Sequence, residues 1–239
     1  MNKKEVNRRF THYNFFPKSR KGSHVGVILS LTIFIMFLLG LFFAIQPLLK
    51  NQKENEVLLD KLEAKLLGEI SNNLTVATIS TASGTWLRLG NSDIGVSGDG
   101  AIVKEDDGTE IVSGYDGSNL IIQAGSQPAL WVYYAEEFNI NQETDNILYI
   151  SPTIKSIRQT TEYFEKKIEN TLNNYEMIKN SMNLPQDNGF GYSFQYNNGT
   201  IVNAGINNSV GNVYVQEIPI QYINGSANSL SGKLIIRAW

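Results

Sequence analysis

The chain has 239 residues, 42 % hydrophobic and 18 % charged, with a formal net charge of −3 at pH 7 and no cysteine. That composition excludes disulfides, a thiol nucleophile and thiolate metal ligands, and the two histidines, His12 and His24, stand near the amino end, away from most of the chain. Residues 1–24 hold Lys3, Lys4, Arg8, Arg9, Lys18, Arg20 and Lys21 against Glu5, a net of about +6; the remainder carries about −9, which disfavours nucleic acid as a partner.

Residues 1–24 read as a basic cytoplasmic tail. Tyr13, Phe15 and Phe16 suit a membrane interface and the basic groups suit anionic lipid, though a plain topogenic tail has the same composition. Residues 25–49 read as a transmembrane helix. Val25 to Ile45 contains no charged residue, and a helix over this run covers about 30 Å, the thickness of a bilayer's hydrocarbon. A soluble core helix of this length would carry a polar stripe. A cleaved secretory signal would be shorter and followed by a small-x-small site. The charge asymmetry predicts a single pass, with the tail in the cytoplasm and the acidic part outside the cell membrane.

The junction Arg20-Lys21-Gly22-Ser23, with a long apolar helix directly after it, resembles the class III signal sequence of type IV pilins and archaeal pilin-like proteins. The resemblance covers the amino-terminal third. It implies cleavage after Gly22 by a prepilin peptidase, with Ser23 as the first mature residue. Lys21, Gly22 and Ser23 are then the candidate processing site, and other pilin-like subunits are expected partners through the apolar helix. The family places a glutamate at the fifth mature position, where this chain has Val27. That departure bears on filament assembly, in which the glutamate helps set subunit register. An uncleaved anchor remains the other reading of the same residues.

Pro47 falls where the helix leaves the hydrocarbon and is a candidate kink. Residues 50–72 read as an amphipathic stalk helix. Leu58, Leu62, Leu66 and Ile70 recur every four residues, widened by Leu59 and Leu67. Residues 23–71 together would form a rod of about 70 Å at the helical rise. Pilins share this organisation, which is a second point of resemblance.

Residues 73–239 read as a β-rich extracytoplasmic domain. Period-two stretches are Leu74–Thr81, Thr85–Leu89, Ala101–Lys104, Glu110–Val112, Asn119–Gln123, Ala129–Ala135 and Asn146–Ile150. Asp99-Gly100, Asp107-Gly108 and Asp116-Gly117 suit hairpin turns. Asp99, Glu105, Asp106, Asp107 and Asp116 lack the spacing of an EF-hand, so turns are preferred to calcium and no metal ligand is assigned. A long helix is expected over about 152–183. Ser151 would cap it and Pro152 would open it, with Ile154, Ile157, Thr161, Phe164, Ile168, Thr171, Tyr175, Ile178 and Met182 in three-four spacing. Packing on a sheet is preferred to a coiled coil, and Leu184-Pro185 would end it. Further strands are expected at Phe190–Tyr196, Thr200–Ala204, Asn212–Tyr222 and Gly232–Trp239, with a turn at Asn197-Asn198-Gly199. Sequons begin at Asn73, Asn198, Asn207 and Asn224.

The expected class is therefore α+β. A transmembrane helix continues into an amphipathic one, and a β-rich domain with one long helix follows. No G-x-S-x-G elbow, phosphate loop or metal spacing is present, so no catalytic residue, cofactor or enzymatic activity is assigned. Two functions remain: a pilin-like structural or minor appendage subunit, and a membrane-anchored binding module that does not polymerise. Membrane lipid is a partner in both.

Overall fold

The computed structural model describes residues 24–80, 86–96, 100–117, 119–123, 126–139, 149–182, 189–205 and 213–239. The chain divides into two compact units, Met1–Asn51 and Gln52–Trp239. The expected tail, but for His24, lies outside the described residues.

The first unit contains the opening turns of α1 (His24–Ile70). From His24 to Gln46 this helix is apolar over 23 residues, and none of that stretch is buried. Val25 is 71 % exposed and Phe43 65 %. Thr32 returns its hydroxyl to the Ile28 carbonyl at 2.9 Å, so its polar group stays on the helix. The stretch is long and apolar enough to cross a membrane.

In the second unit α1 is one-sided. Leu58, Leu59, Leu62, Leu66 and Ile70 are buried, and Lys65 pairs with Glu69 at 2.7 Å on the wet side. The helix passes directly into β1 (Ser71–Ser80). Ser71 Oγ donates to the Gly68 carbonyl, and the Asn72 side chain accepts from the Asn73 amide. These short polar side chains give the backbone partners outside the helix, which is why they mark its end. Then come β2 (Trp86–Gly90), a one-turn α2 (Asn91–Ile94) and β3 (Gly100–Glu105). They are followed by β4 (Glu110–Ile111), β5 (Ser113–Asp116), β6 (Asn119–Gln123), β7 (Ala129–Ala135) and β8 (Tyr149–Ile150). The Asp107-Gly108 and Asp116-Gly117 turns are present, with Gly108 at φ 85° and Gly117 at 65°. Asp99 lies outside the described residues, and Gly100 is a strand residue, not a turn residue. A Cβ on Gly100 would stand 2.2 Å from the Phe138 carbonyl oxygen, so the glycine permits close backbone approach.

The long helix expected over about 152–183 is not present. Its first half is a strand, β9 (Thr153–Phe164), and its second half is two short helices, α3 (Glu165–Asn173) and α4 (Tyr175–Ser181). Thr153, Ile154, Ile157, Thr160 and Thr161 are β-branched, and the strand pairs with β1 over ten positions. Pro152 precedes a strand rather than opening a helix. The three-four spacing is real only from Phe164 onward, where Phe164, Ile168, Leu172 and Ile178 are buried. Asn174 divides the two helices, its side-chain amide on the Asn170 carbonyl at 2.8 Å. Leu184-Pro185 lies outside the described residues.

The remaining elements are β10 (Phe190–Gln195), β11 (Ile201–Ala204), β12 (Tyr214–Ile223) and β13 (Ser229–Ala238). The turn at Asn197-Asn198-Gly199 joins β10 to β11, with Gly199 at φ 84°. One sheet has nine strands in the order β11-β10-β13-β12-β9-β1-β7-β3-β4, and a second has four in the order β5-β6-β2-β8. Two cores result. The α1 stripe, Ile168 and Leu172 of α3 and Ile178 of α4 pack with Phe190, Tyr192, Phe194, Tyr222, Leu234 and Ile236. The second sheet closes over β1, β7 and β3 through Leu87, Leu89, Leu120 and Ile122 against Ala77, Ile79, Val103, Leu130 and Val132. A smaller cluster joins Leu74, Ile102, Ala135, Phe138, Phe164 and Ala227.

Candidate functional site

The candidate processing residues Lys21, Gly22 and Ser23 lie outside the described residues. Val27, where the sequence resemblance would expect a glutamate, is 65 % exposed in α1, and other apolar side chains of the same stretch such as Leu31, Phe34, Leu38 and Phe42 are also exposed. In water that surface would be costly. In lipid, or against other apolar helices, it is at home.

The second unit holds an open cleft of about 450 Å³ between α3 and the β10–β11 hairpin. Glu165 and Glu169, one turn apart on α3, line one side with Leu172 and Asn173. Tyr196, Asn198, Thr200 and Val202 of the hairpin line the other. Tyr196 stands edge-on to Phe194 at 4.8 Å and to Tyr222 at 6.0 Å, which fixes the aromatic wall. Burial pushes the Tyr196 hydroxyl up to about 12, and the nearby Glu169 and Glu165 add to the shift. The cleft therefore presents carboxylates, amide and hydroxyl groups and one aromatic face. The Asn198 sequon is at its rim. Sequence reading missed this juxtaposition because the helix and the hairpin are far apart along the chain.

The acidic residues of the loops do not converge. Glu105 accepts from the Ser126 amide and hydroxyl and from the Gln127 amide. Asp106 accepts from the Trp131 indole at 3.4 Å, and Asp116 pairs with Arg88 at 3.1 Å. Asp107 accepts from the Thr109 amide, which holds its carboxyl below the usual range. Each thus has its own protein partner. No group of three or more His, Asp or Glu suited to a metal ion is found among the described residues.

Two buried charges are tied to the fold. Lys104 of β3 donates to the Ala227 carbonyl at 3.3 Å and to the Asn228 side chain, with its ammonium 5.8 Å from the Tyr133 ring centre. Burial pushes its pKa down, opposed by Glu110. Asn224 shapes the loop that covers Lys104, its side-chain oxygen accepting from the Ser226 and Asn228 amides. Glu137 accepts from Asn72 at 2.8 Å and lies 3.9 Å from Lys167.

No protein-family model, curated protein or solved structure matches this chain.

Proposed function

We propose that the chain is a single-pass membrane-anchored surface protein, a pilin-like structural or minor appendage subunit. One observation carries the reading. A single helix, α1, is apolar all round over His24–Gln46 and then narrows to a one-sided stripe seated in the core of the outer unit. The first part suits lipid or neighbouring apolar helices, and the second makes the same helix a structural member of a folded domain. The basic tail faces the cytoplasm and the acidic domain lies outside. Membrane lipid, a prepilin peptidase acting after Gly22, and other pilin-like subunits contacted through the apolar helix are the partners. Nucleic acid and catalysis have no place in this reading.

The second reading is an anchored binding module that does not polymerise. Val27 favours it, because no carboxylate stands there to meet a neighbour's new amino terminus. The α3–hairpin cleft, with its carboxylates and aromatic wall, favours it too.

The intact mass of the protein from its native membrane separates the two. Under the first reading the chain begins at Ser23, and a Gly22→Leu variant keeps the tail. A native chain beginning at Met1 or Asn2, with a variant that behaves identically, leaves the anchored module.

A further inference from the structure

Strand β9 is paired along one side. Its register with β1 runs from Tyr163 opposite Ser71 to Thr153 opposite Ser80, with Lys155 bulged out between Ser156 and Ile154. On the other side it meets β12 only at Tyr163 opposite Tyr222 and Phe164 opposite Ile223. Among the described residues no strand pairs with that side from Thr153 to Glu162. Between the bulge and the β12 junction, the regular part of this open edge is Ser156 to Glu162, SIRQTTE. The side chains carry the same feature. Val103, Val132 and Ala77 stand side by side on three strands, each 0 % exposed, and the next residue in that row, Ile157, is 46 % exposed.

We propose that this edge is an interface between copies of the chain, in which two β9 strands pair antiparallel across a two-fold axis at Gln159. The inference stands apart from cleavage at Gly22 and would hold for either reading of function. An open edge offers unpaired amides and carbonyls, and an extended backbone satisfies them. A two-fold axis normal to the sheet keeps each side chain on its own face, so facing residues are both odd or both even in number. The symmetric register that uses all of Ser156–Glu162 is centred on Gln159. It sets Ser156 opposite the copy's Glu162, Ile157 opposite Thr161, Arg158 opposite Thr160, and Gln159 opposite itself. No like charges face each other directly; each Arg158 lies diagonal to the copy's Glu162 on one side and to the copy's Arg158 across the axis on the other. The half-exposed Ile157 gains a β-branched neighbour and the buried row continues into the second molecule. The bulge at Lys155 bends the strand away and ends the pairing there.

The chain has no cysteine, so single-cysteine variants report directly on the register. Facing Cβ atoms in such a pair are about 4.5–5.5 Å apart, a small adjustment from disulfide geometry. Under mild oxidation of the full chain in its membrane, Gln159→Cys is expected to give a dimer. Ile157→Cys alone and Thr161→Cys alone are expected to stay monomeric, but to cross-link to each other when co-expressed. In detergent, Gln159→Lys should weaken dimerisation of the full chain about tenfold by opposing two cations, with the melting midpoint of the dissociated chain, taken at low concentration, unchanged. Several outcomes overturn the inference. They are equal cross-linking at all three positions, none at 159, capture of a different polypeptide at 159, a wild-type chain that sediments as a monomer, or a dimer indifferent to Gln159→Lys.

Discussion

Tyr134 and Tyr192 are both nearly fully buried, yet their hydroxyls fare differently. Tyr192 donates to the Thr171 carbonyl at 2.6 Å, and this ties β10 to α3. The Tyr134 hydroxyl has no hydrogen-bond partner. Removing a paired group strands its partner, whereas removing an orphan relieves a desolvation cost. Tyr192→Phe is therefore expected to destabilise the second unit by about 1–3 kcal/mol, and Tyr134→Phe to be neutral or stabilising. Urea titrations of the two variants measure the contrast. The same rings set the alkaline limit of the fold. Burial raises the hydroxyls of Tyr134, Tyr192 and Tyr196 above their usual value, that of Tyr196 to about 12. Unfolded tyrosine ionises near pH 10, so above that pH the unfolded chain has lost protons that the folded chain keeps. Their stabilisation is whole below about pH 10 and is lost as pH rises through the folded values. Lys104 acts in the opposite sense, because its folded pKa is lowered. Between that value and about 10.4 the folded state binds fewer protons, and stability from this group rises with pH. Three tyrosines outweigh one lysine, so melting midpoints measured from pH 8 to 11.5 should fall at the alkaline end.

At the scale of elements, α1 carries two kinds of apolar surface under one secondary structure. Leu62 and Leu66 are 0 % exposed, while Leu38 in the amino-terminal stretch is 48 % exposed. Leu62→Ala and Leu66→Ala are each expected to cost the second unit about 2–5 kcal/mol through lost burial and a residual cavity. Leu38→Ala should leave its unfolding unchanged. Thermal unfolding of the full chain in detergent compares the three. The stalk stripe was legible because a spacing of four, kept from Leu58 to Ile70, has one physical solution, a helix with one apolar face. The stretch from Ile154 to Met182 was not. Ile154, Ile157 and Thr161 fall in three-four spacing and are also β-branched, and spacing alone does not decide between the two structures. Pairing with β1 decided it, since ten ladder positions on a distant strand outweigh a weak local helical preference. The spacing after Phe164 reported a true helical face, and Asn174 cut it into two.

At the scale of the molecule, the proposed topology has a direct consequence. Protease added to intact cells or spheroplasts should digest the second unit beyond Asn73, while in the Gly22→Leu variant, which keeps the tail, a tag placed before Lys3 remains protected. The reverse pattern would invert the orientation drawn from the charge asymmetry. The cleft lies at the same scale, since α3 supplies Glu165 and Glu169 and the hairpin supplies Tyr196 and Thr200. It was invisible in sequence because the two walls are separated by α4 and β10, and no local pattern signals that they meet. Lys104 was equally unreadable. Its position on a short alternating strand suggests a solvent-facing lysine, but the β12–β13 loop closes over it.

Features that depend on neighbours along the chain were legible in the sequence. These are the apolar run, the stalk stripe, the strand-rich composition of the second unit, and the glycine turns at Gly108, Gly117 and Gly199. Their causes are local: helical rise and period, side-chain alternation, and the conformational freedom of glycine. Tertiary contacts made Thr153–Phe164 a strand, placed two sheets in one domain, buried Lys104, and left one side of β9 without a partner strand from Thr153 to Glu162 among the described residues. Each of these depends on pairing or burial between residues distant in sequence, whose free energy no local pattern contains.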